Sequence, residues 1–365
     1  MTSILHGFLL FGFLLHALFM NLVIGGTPIM VATDWLGYGT GRERYRRLGT
    51  ALANMLPSFL VFAVVLGVAS LLFVQAAYGL VWYPAMLLVG TMWIAVLGAV
   101  ILGYVGLSAY KYWRVWLGGR PGLQLTLGSV NVVLFWGVAW IFVMVGILML
   151  NPEHWQNIQG SGLRGMLSLP SLFPRYGHMI LASVAGMGIF LMCYGLYLGS
   201  GFRRQDSAGD GPTEDDATWV TKYGVAWALA GTLPQIVVGP WLLLSLPDEV
   251  RAELISGRSL GSLAFFVGLT FGLLSLVLLN ASLMIPHVRG MALAGIVSLL
   301  VTVCLMVVVR DAVRQSWLAK HSVATQLSPD WGAMAMGGVV LVMGLGLIGY
   351  VVHAYRNAHP SRRRS

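Results

Sequence analysis

The chain has 365 residues, of which 58% are hydrophobic and only 10% charged, and its formal net charge is +9. No ordinary soluble domain is composed this way. The basic excess lies in short segments between apolar stretches, so it reports orientation in a membrane and not nucleic-acid binding.

Nine apolar stretches reach the roughly 20 residues that cross a bilayer core of about 30 Å. They fall near 4–33, 51–77, 84–109, 125–150, 176–199, 218–246, 260–285, 290–310 and 332–353. The fold class predicted is all-α: a polytopic membrane helical bundle, with residues 1–365 forming one integral-membrane domain. The first stretch lacks a basic n-region and an A-x-A site, so it reads as a retained helix and not a signal peptide. With the N-terminus outside, Arg42, Arg44, Arg46, Arg47, Lys111, Arg114, Arg120, Arg203, Arg204, Lys222, Arg289, Arg356 and Arg362 to Arg364 lie inside. Arg164, Arg175, Arg251, Arg258, Arg310, Arg314 and Lys320 then lie in outer loops. This bias predicts an N-out, C-in topology. Residues 205–216, rich in Gly, Asp and Glu, read as a cytoplasmic linker, and 354–365 as a basic cytoplasmic tail.

The 46 glycines include spacings such as Gly98–Gly103–Gly106 and Gly344–Gly346–Gly349, which let helix backbones approach closely in lipid. Trp35, Trp82, Trp113, Trp317 and Trp331 fall near stretch ends, as interfacial anchors do. The methionines read as packing residues. Cys193 and Cys304, both in apolar stretches, make neither a disulfide framework nor a CxxCH haem-attachment motif. No internal repeat stands out, which argues against an inverted-repeat transporter.

Chemistry is concentrated in the histidines. No Asp or Glu occurs between Glu43 and Glu153, whereas His16 and His178 lie inside apolar segments. Buried carboxylates would carry protons across a membrane; buried imidazoles can hold a metal or haem. For His16 and His178 the alternative is an imidazole bonded to a neighbouring helix carbonyl. His6 lies at about the depth of His178, so two helices could offer a bis-histidine pair to one haem, or His6 could simply face interfacial water. His154, His321, His287, His353 and His359 read as solvated. Phosphate loops, zinc spacings and nucleophile elbows are absent.

The run His16-Ala17-Leu18-Phe19-Met20-Asn21-Leu22-Val23-Ile24-Gly25 closely resembles the H-F-L-F-V-P-L-T-L-G segment of subunit I of cytochrome bd-type quinol oxidases. Further echoes follow in order. Arg44-Tyr45-Arg46-Arg47 leads into a stretch with Gly67-Val68-Ala69. Arg175 to Gly188 resembles the family's F-V-H-T helix, and Val313-Arg314-Gln315-Ser316-Trp317 its G-R-Q-P-W stretch. The resemblance covers nearly the whole chain and shares its nine spans and N-out topology. It implies that His16 is a ligand of a high-spin haem pair and His178 a ligand of the low-spin haem b. The departures are equally plain. Met86–Tyr110 carries none of the family's third-span glutamates. Residues 261–283 hold no methionine for the low-spin haem, a place His6 would have to take. The eighth-span glutamate ligand aligns near Cys304, and the long quinol-binding loop shrinks to Ser245–Ser259.

These features predict a membrane subunit of a respiratory or redox complex in a bacterial inner membrane. It would bind haem b and pass electrons between the quinone pool and an external c-type cytochrome partner, alongside other membrane subunits. A terminal quinol oxidase with substituted ligands is the second expectation, and a cofactor-free anchor or scaffold the third.

Overall fold

A computed structural model describes residues 3–114, 116, 119–200, 213–284, 288–320 and 329–358. Its long helices are α1 (Ser3–Thr40), α2 (Glu43–Val89), α3 (Thr91–Tyr112), α4 (Pro121–Leu148), α5 (Leu172–Gly199), α6 (Glu214–Thr232), α7 (Gln235–Leu244), α8 (Leu260–Met284), α9 (Val288–Leu318) and α10 (Trp331–Ala358). Among the described residues nine segments are long and apolar enough to cross a membrane, α6 and α7 together making one of them. The count predicted from hydropathy stands, and the described secondary structure is helical throughout.

Specific residues end and join these helices. Gly41 (φ 65°) and Gly90 (φ 58°) adopt the left-handed conformation that lets the chain reverse between α1 and α2 and between α2 and α3. Thr213 and Asp216 form a reciprocal capping box at the start of α6, whose first turn is acidic and complements the helix dipole. The last three residues of the expected 205–216 linker are therefore helix; 205–212 lie outside the described residues. The expected tail likewise begins as the end of α10, and 359–365 lie outside the described residues. Pro234 divides the sixth span, because proline supplies no N–H and disfavours helix at the residue before it.

Two helices run past the stretches that hydropathy marks. α1 has 38 residues and α2 has 47, lengths of about 57 and 70 Å against a core of about 30 Å. The extra turns of α1 carry Asp34 and Tyr38. In α2 the helix breaks at Tyr78 (φ −134°, ψ 27°), next to Gly79. The Ala76 carbonyl, close to the break, accepts the Asp330 N–H at 3.0 Å. Asp330 in turn caps α10 through Oδ1 to the N–H groups of Gly332 and Ala333. Residues 84–89, expected to open the third span, instead complete this arm of α2.

Helix α5 packs most extensively against α6, and α1 against α2. The α5–α6 seam is made by Gly188, Gly195, Gly224 and Gly231. A Cβ on any of the four would run into the backbone of the facing helix, and at Gly195 into Thr221 Oγ1 as well. Without a hydrophobic drive between helices in lipid, such close approach supplies the packing. The largest buried cluster gathers at the end of the bundle that holds the N-terminus of α1 and the C-terminus of α9. It includes Leu5, Leu9, Phe73, Tyr78, Val81 and Trp317. Trp82 and Trp317, expected as interfacial anchors, are both 5% exposed and belong to this core; Trp35, Trp113 and Trp331 are exposed. The segment expected as a shortened loop, 245–259, folds as a helix at Asp248–Leu254 whose Val250 and Leu254 join the same core.

Candidate functional site

His16 faces α2. Its Nδ1 lies 2.9 Å from the Ala63 carbonyl oxygen. A carbonyl can only accept, so Nδ1 carries the proton and Nε2 keeps its lone pair. The ring is accommodated by Gly67, where a Cβ would come within 2.8 Å of His16 Cε1 and 2.9 Å of Nδ1. Phe13 flanks the imidazole at 6.5 Å between centroids, and the Arg310 guanidinium sits over the other side of this chain of contacts, 4.0 Å from the Phe13 ring. A neutral imidazole fixed by a backbone carbonyl, with a lone pair left on its second nitrogen, is the arrangement that metal-ligating histidines use.

His178 lies in the second turn of α5. Its Nδ1 is buried without a hydrogen-bond partner among the described residues. The break at Pro234 brings Gln235 against it: Gln235 Nε2 donates to the His178 carbonyl oxygen at 2.9 Å, while Gln235 Oε1 is buried and unpartnered. Nearby, Tyr176 donates its hydroxyl to the Trp136 carbonyl, and Trp136 donates its indole N–H to Ile24. These bonds tie α5, α4 and α1 together.

Three arginines expected in outer loops lie on the long helices: Arg175 on α5, and Arg310 and Arg314 on α9. Arg314 is 6% exposed and lies over the Tyr78 ring at 5.2 Å, which the α2 break presents to it. Arg175 lies 5.9 Å from the Trp317 ring. The carboxylate here is Asp311, 3% exposed, with Arg314 Nη1 at 3.6 Å from Oδ1. Arg175 Nε, Arg314 Nη1 and Asp311 Oδ1 are all buried without hydrogen bonds. Buried polar atoms are rarely left so, because each costs about 1–3 kcal/mol. Three guanidinium groups against one carboxylate also leave the cluster cationic.

His6 belongs to this cluster and not to the surroundings of His178. Its Nε2 lies 3.3 Å from Asp311 Oδ2 and its Nδ1 3.4 Å from Gln315 Nε2. Ligation of iron by His6 would require breaking one of these contacts. Cys304, where the resemblance aligns a glutamate ligand, is exposed, and the acid of that helix is Asp311, two turns further on. His154 is half-exposed beside Glu153, and His353 contacts Asn357. His287, His321 and His359 lie outside the described residues.

Sequence reasoning passed over Asp311, Arg314, Gln315 and Tyr78 as site residues. The spacing of Arg310, Asp311 and Arg314 was the available signal: i and i+4 share a helix face.

The other end of α1 holds a second buried acid. Asp34, 3% exposed, accepts from both terminal nitrogens of Arg114 (2.5 and 2.8 Å), from Tyr110 (2.5 Å) and from Gln124 (3.0 Å). Tyr38 donates to Gln124, and Arg114 Nε to Thr50. Burial works against the Arg114 charge, but the hydrogen bonds and charge of Asp34 outweigh it and hold the guanidinium above the ordinary arginine range.

No protein-family model matches the chain, and no curated protein matches it. Among solved structures the chain is similar to the bd oxidase from Geobacillus thermodenitrificans. The TM-score is 0.75 at 13% sequence identity, over 99% of this chain and 98% of that one. The likeness is one of fold: this chain is built as a bd-type multi-pass helical bundle.

Proposed function

We propose that the chain is the haem-bearing membrane subunit of a redox complex. Haem b bound here would supply reversible one-electron transfer at its iron. The observation that carries the reading is the set of unsatisfied groups at one end of the bundle. His16 keeps a lone pair on Nε2, His178 has a buried Nδ1 that meets only the Gln235 side chain, and Arg175 Nε and Arg314 Nη1 are buried donors without a hydrogen bond. Haem is a planar group with two carboxylates, and it would complement imidazole ligands and arginine donors together. The residues present therefore fit it. His16 and His178 would hold iron, Arg175 and Arg314 would pair with the acid groups, and Gly67 would keep the His16 ring in place. The aromatic shell of Phe13, Tyr78 and Trp317 would exclude water from these contacts.

Orientation follows from charge. With Arg175 and Arg314 drawn into the bundle, the outer side keeps Arg164, Arg251, Arg258, Arg310 and Lys320, so the inside bias is stronger than the sequence count suggested. On this reading His6 and His178 lie near the outer face, where an external c-type cytochrome would approach, with quinone as the membrane-side reactant. The linker and tail then lie in the cytoplasm of a bacterial inner membrane. A reporter fused after Ser365 is expected to be active only on the cytoplasmic side; periplasmic activity would reverse the assignment.

The decisive measurement is a reduced-minus-oxidised spectrum of the purified protein. A low-spin b-type signal is expected, and His178→Ala is expected to abolish it while the helical fold persists. An unchanged signal in that variant would remove His178 from the site, and a colourless wild-type protein would leave an anchor role. The terminal quinol oxidase reading gains from one observation: Asp311 and Asp34 are buried carboxylates, so acids are not missing from the bundle as a whole. A chlorin-type band with oxygen uptake lost in His16→Ala would favour it.

A further inference from the structure

The contacts of His6 and Asp311 do more than fill space. Asp311 Oδ2 accepts the Gln315 amide N–H at 2.6 Å and faces His6 Nε2 at 3.3 Å. The same Gln315 nitrogen lies 3.4 Å from His6 Nδ1. An amide nitrogen has two hydrogens and no acceptor, so it serves both neighbours as donor. His6 Nδ1 then accepts, and the ring proton resides on Nε2, pointing at the carboxylate. The side chain of His6 is 31% exposed, whereas that of Asp311 is 4% exposed. One imidazole is thus open at the protein surface and in contact with a buried acid.

We infer that His6 and Asp311 form a proton-exchange site that joins the aqueous phase at this end of the bundle to the arginine-lined interior. A proton from water enters at His6 Nδ1, displacing the long Gln315 contact. The Nε2–H bond breaks and an Oδ2–H bond forms on Asp311, leaving the ring protonated at Nδ1 only. Release runs the same steps backwards, so atoms and charge balance without a redox partner. Gln315 stays bonded to Asp311 and keeps the carboxyl in register with the ring.

The interior supplies the reason for such a port. Around Asp311 are His6 from α1 and Arg314 and Gln315 from α9, with Tyr78 of α2 under Arg314, and Arg310 of α9 and Arg175 of α5 in electrostatic reach of Arg314. The only carboxylate among them offsets three guanidinium groups, and Oδ1 has no hydrogen bond. An electron arriving in this cationic environment is matched most simply by a proton arriving at Asp311. That purpose rests on the haem reading; the proton transfer itself does not.

The test uses the full-length protein in lipid nanodiscs. A deuterium-sensitive carboxylic C=O infrared band is expected, assigned to Asp311 by its loss in Asp311→Asn. Its pH course is expected to be displaced in His6→Gln, with thermal unfolding checking that the variant is folded. Gln315→Met, which leaves both titrating groups and removes the amide between them, is expected to displace the band as well. The same pH course in wild type and both variants, or no Asp311 band at any pH, would overturn the inference. A haem-free preparation that still shows the band and its displacement would support the proton site while refuting the haem reading.

Discussion

Helix α1 carries a buried polar cluster at each end, and the two are built on opposite terms. At the Asp34 end one carboxylate meets one guanidinium bidentately, and Tyr110 and Gln124 fill its remaining lone pairs. At the His6 end Asp311 meets several cations loosely, and Arg175, Arg314, His178 and Gln235 each keep a buried polar atom without a partner. A closed network rigidifies a fold, whereas a half-satisfied one is costly unless something completes it. The comparison teaches that burial of charge alone does not mark a site. The mark is the polar capacity the protein leaves unused. Asp34 clamps α1 to α3 and α4; the other cluster is the one we propose holds a ligand.

The largest expected effect on the fold therefore lies at the end farther from the chemistry. Arg114→Ala leaves Asp34 buried with neutral partners only. Breaking a buried pair from one side costs about 3–5 kcal/mol, and the lower figure applies because the Arg114 side chain is 17% exposed. Thermal unfolding in nanodiscs should show a clear loss of stability, with haem absorption per folded molecule unchanged. If Arg114→Ala instead bleached the haem signal without lowering stability, the division of labour between the two ends would be wrong.

How much of this was readable in the sequence differs between the two ends. The nine spans were, because twenty apolar residues in a row have few alternatives in water or lipid. That His16 and His178 lie within spanning helices was readable too, as imidazoles within apolar runs. Asp34 was missed because a charge after an apolar stretch looks like the start of a loop. In the structure α1 continues to Thr40 and brings that charge to Arg114, 80 residues on. Arg310, Asp311 and Arg314 were missed for the same reason, since they follow the apolar run in α9. The interior placement of Asp311 and Arg314 depends on partners from α1 and α2. The carbonyl of Ala63 that fixes His16 is a backbone group 47 residues away, and no side-chain pattern announces it. The break at Tyr78 was hidden too, since apolar residues continue on both sides of it.

A smaller effect on the fold, with a larger one on ligand retention, is expected from Arg314→Gln. Arg314 Nη1 makes no hydrogen bond and its contact to Asp311 is 3.6 Å, so what is lost with the guanidinium is chiefly its contact with Tyr78. Asp311 keeps His6 and Gln315 as partners. The glutamine amide can still donate to Asp311, and repulsion from Arg310 and Arg175 is relieved. Unfolding should accordingly move less than in Arg114→Ala. Haem, by contrast, would lose one charge-assisted hydrogen bond, worth about 1.5–3 kcal/mol, which corresponds to roughly tenfold to hundredfold weaker binding. The check is haem occupancy during transfer to apo-myoglobin, with His178 and His16 intact. Faster loss of haem at near-normal stability would confirm that the unused donors at this end belong to a ligand. A variant that unfolds like Arg114→Ala yet holds its haem would show that Arg314 is structural, and that the contrast between the two ends of α1 is one of packing and not of purpose.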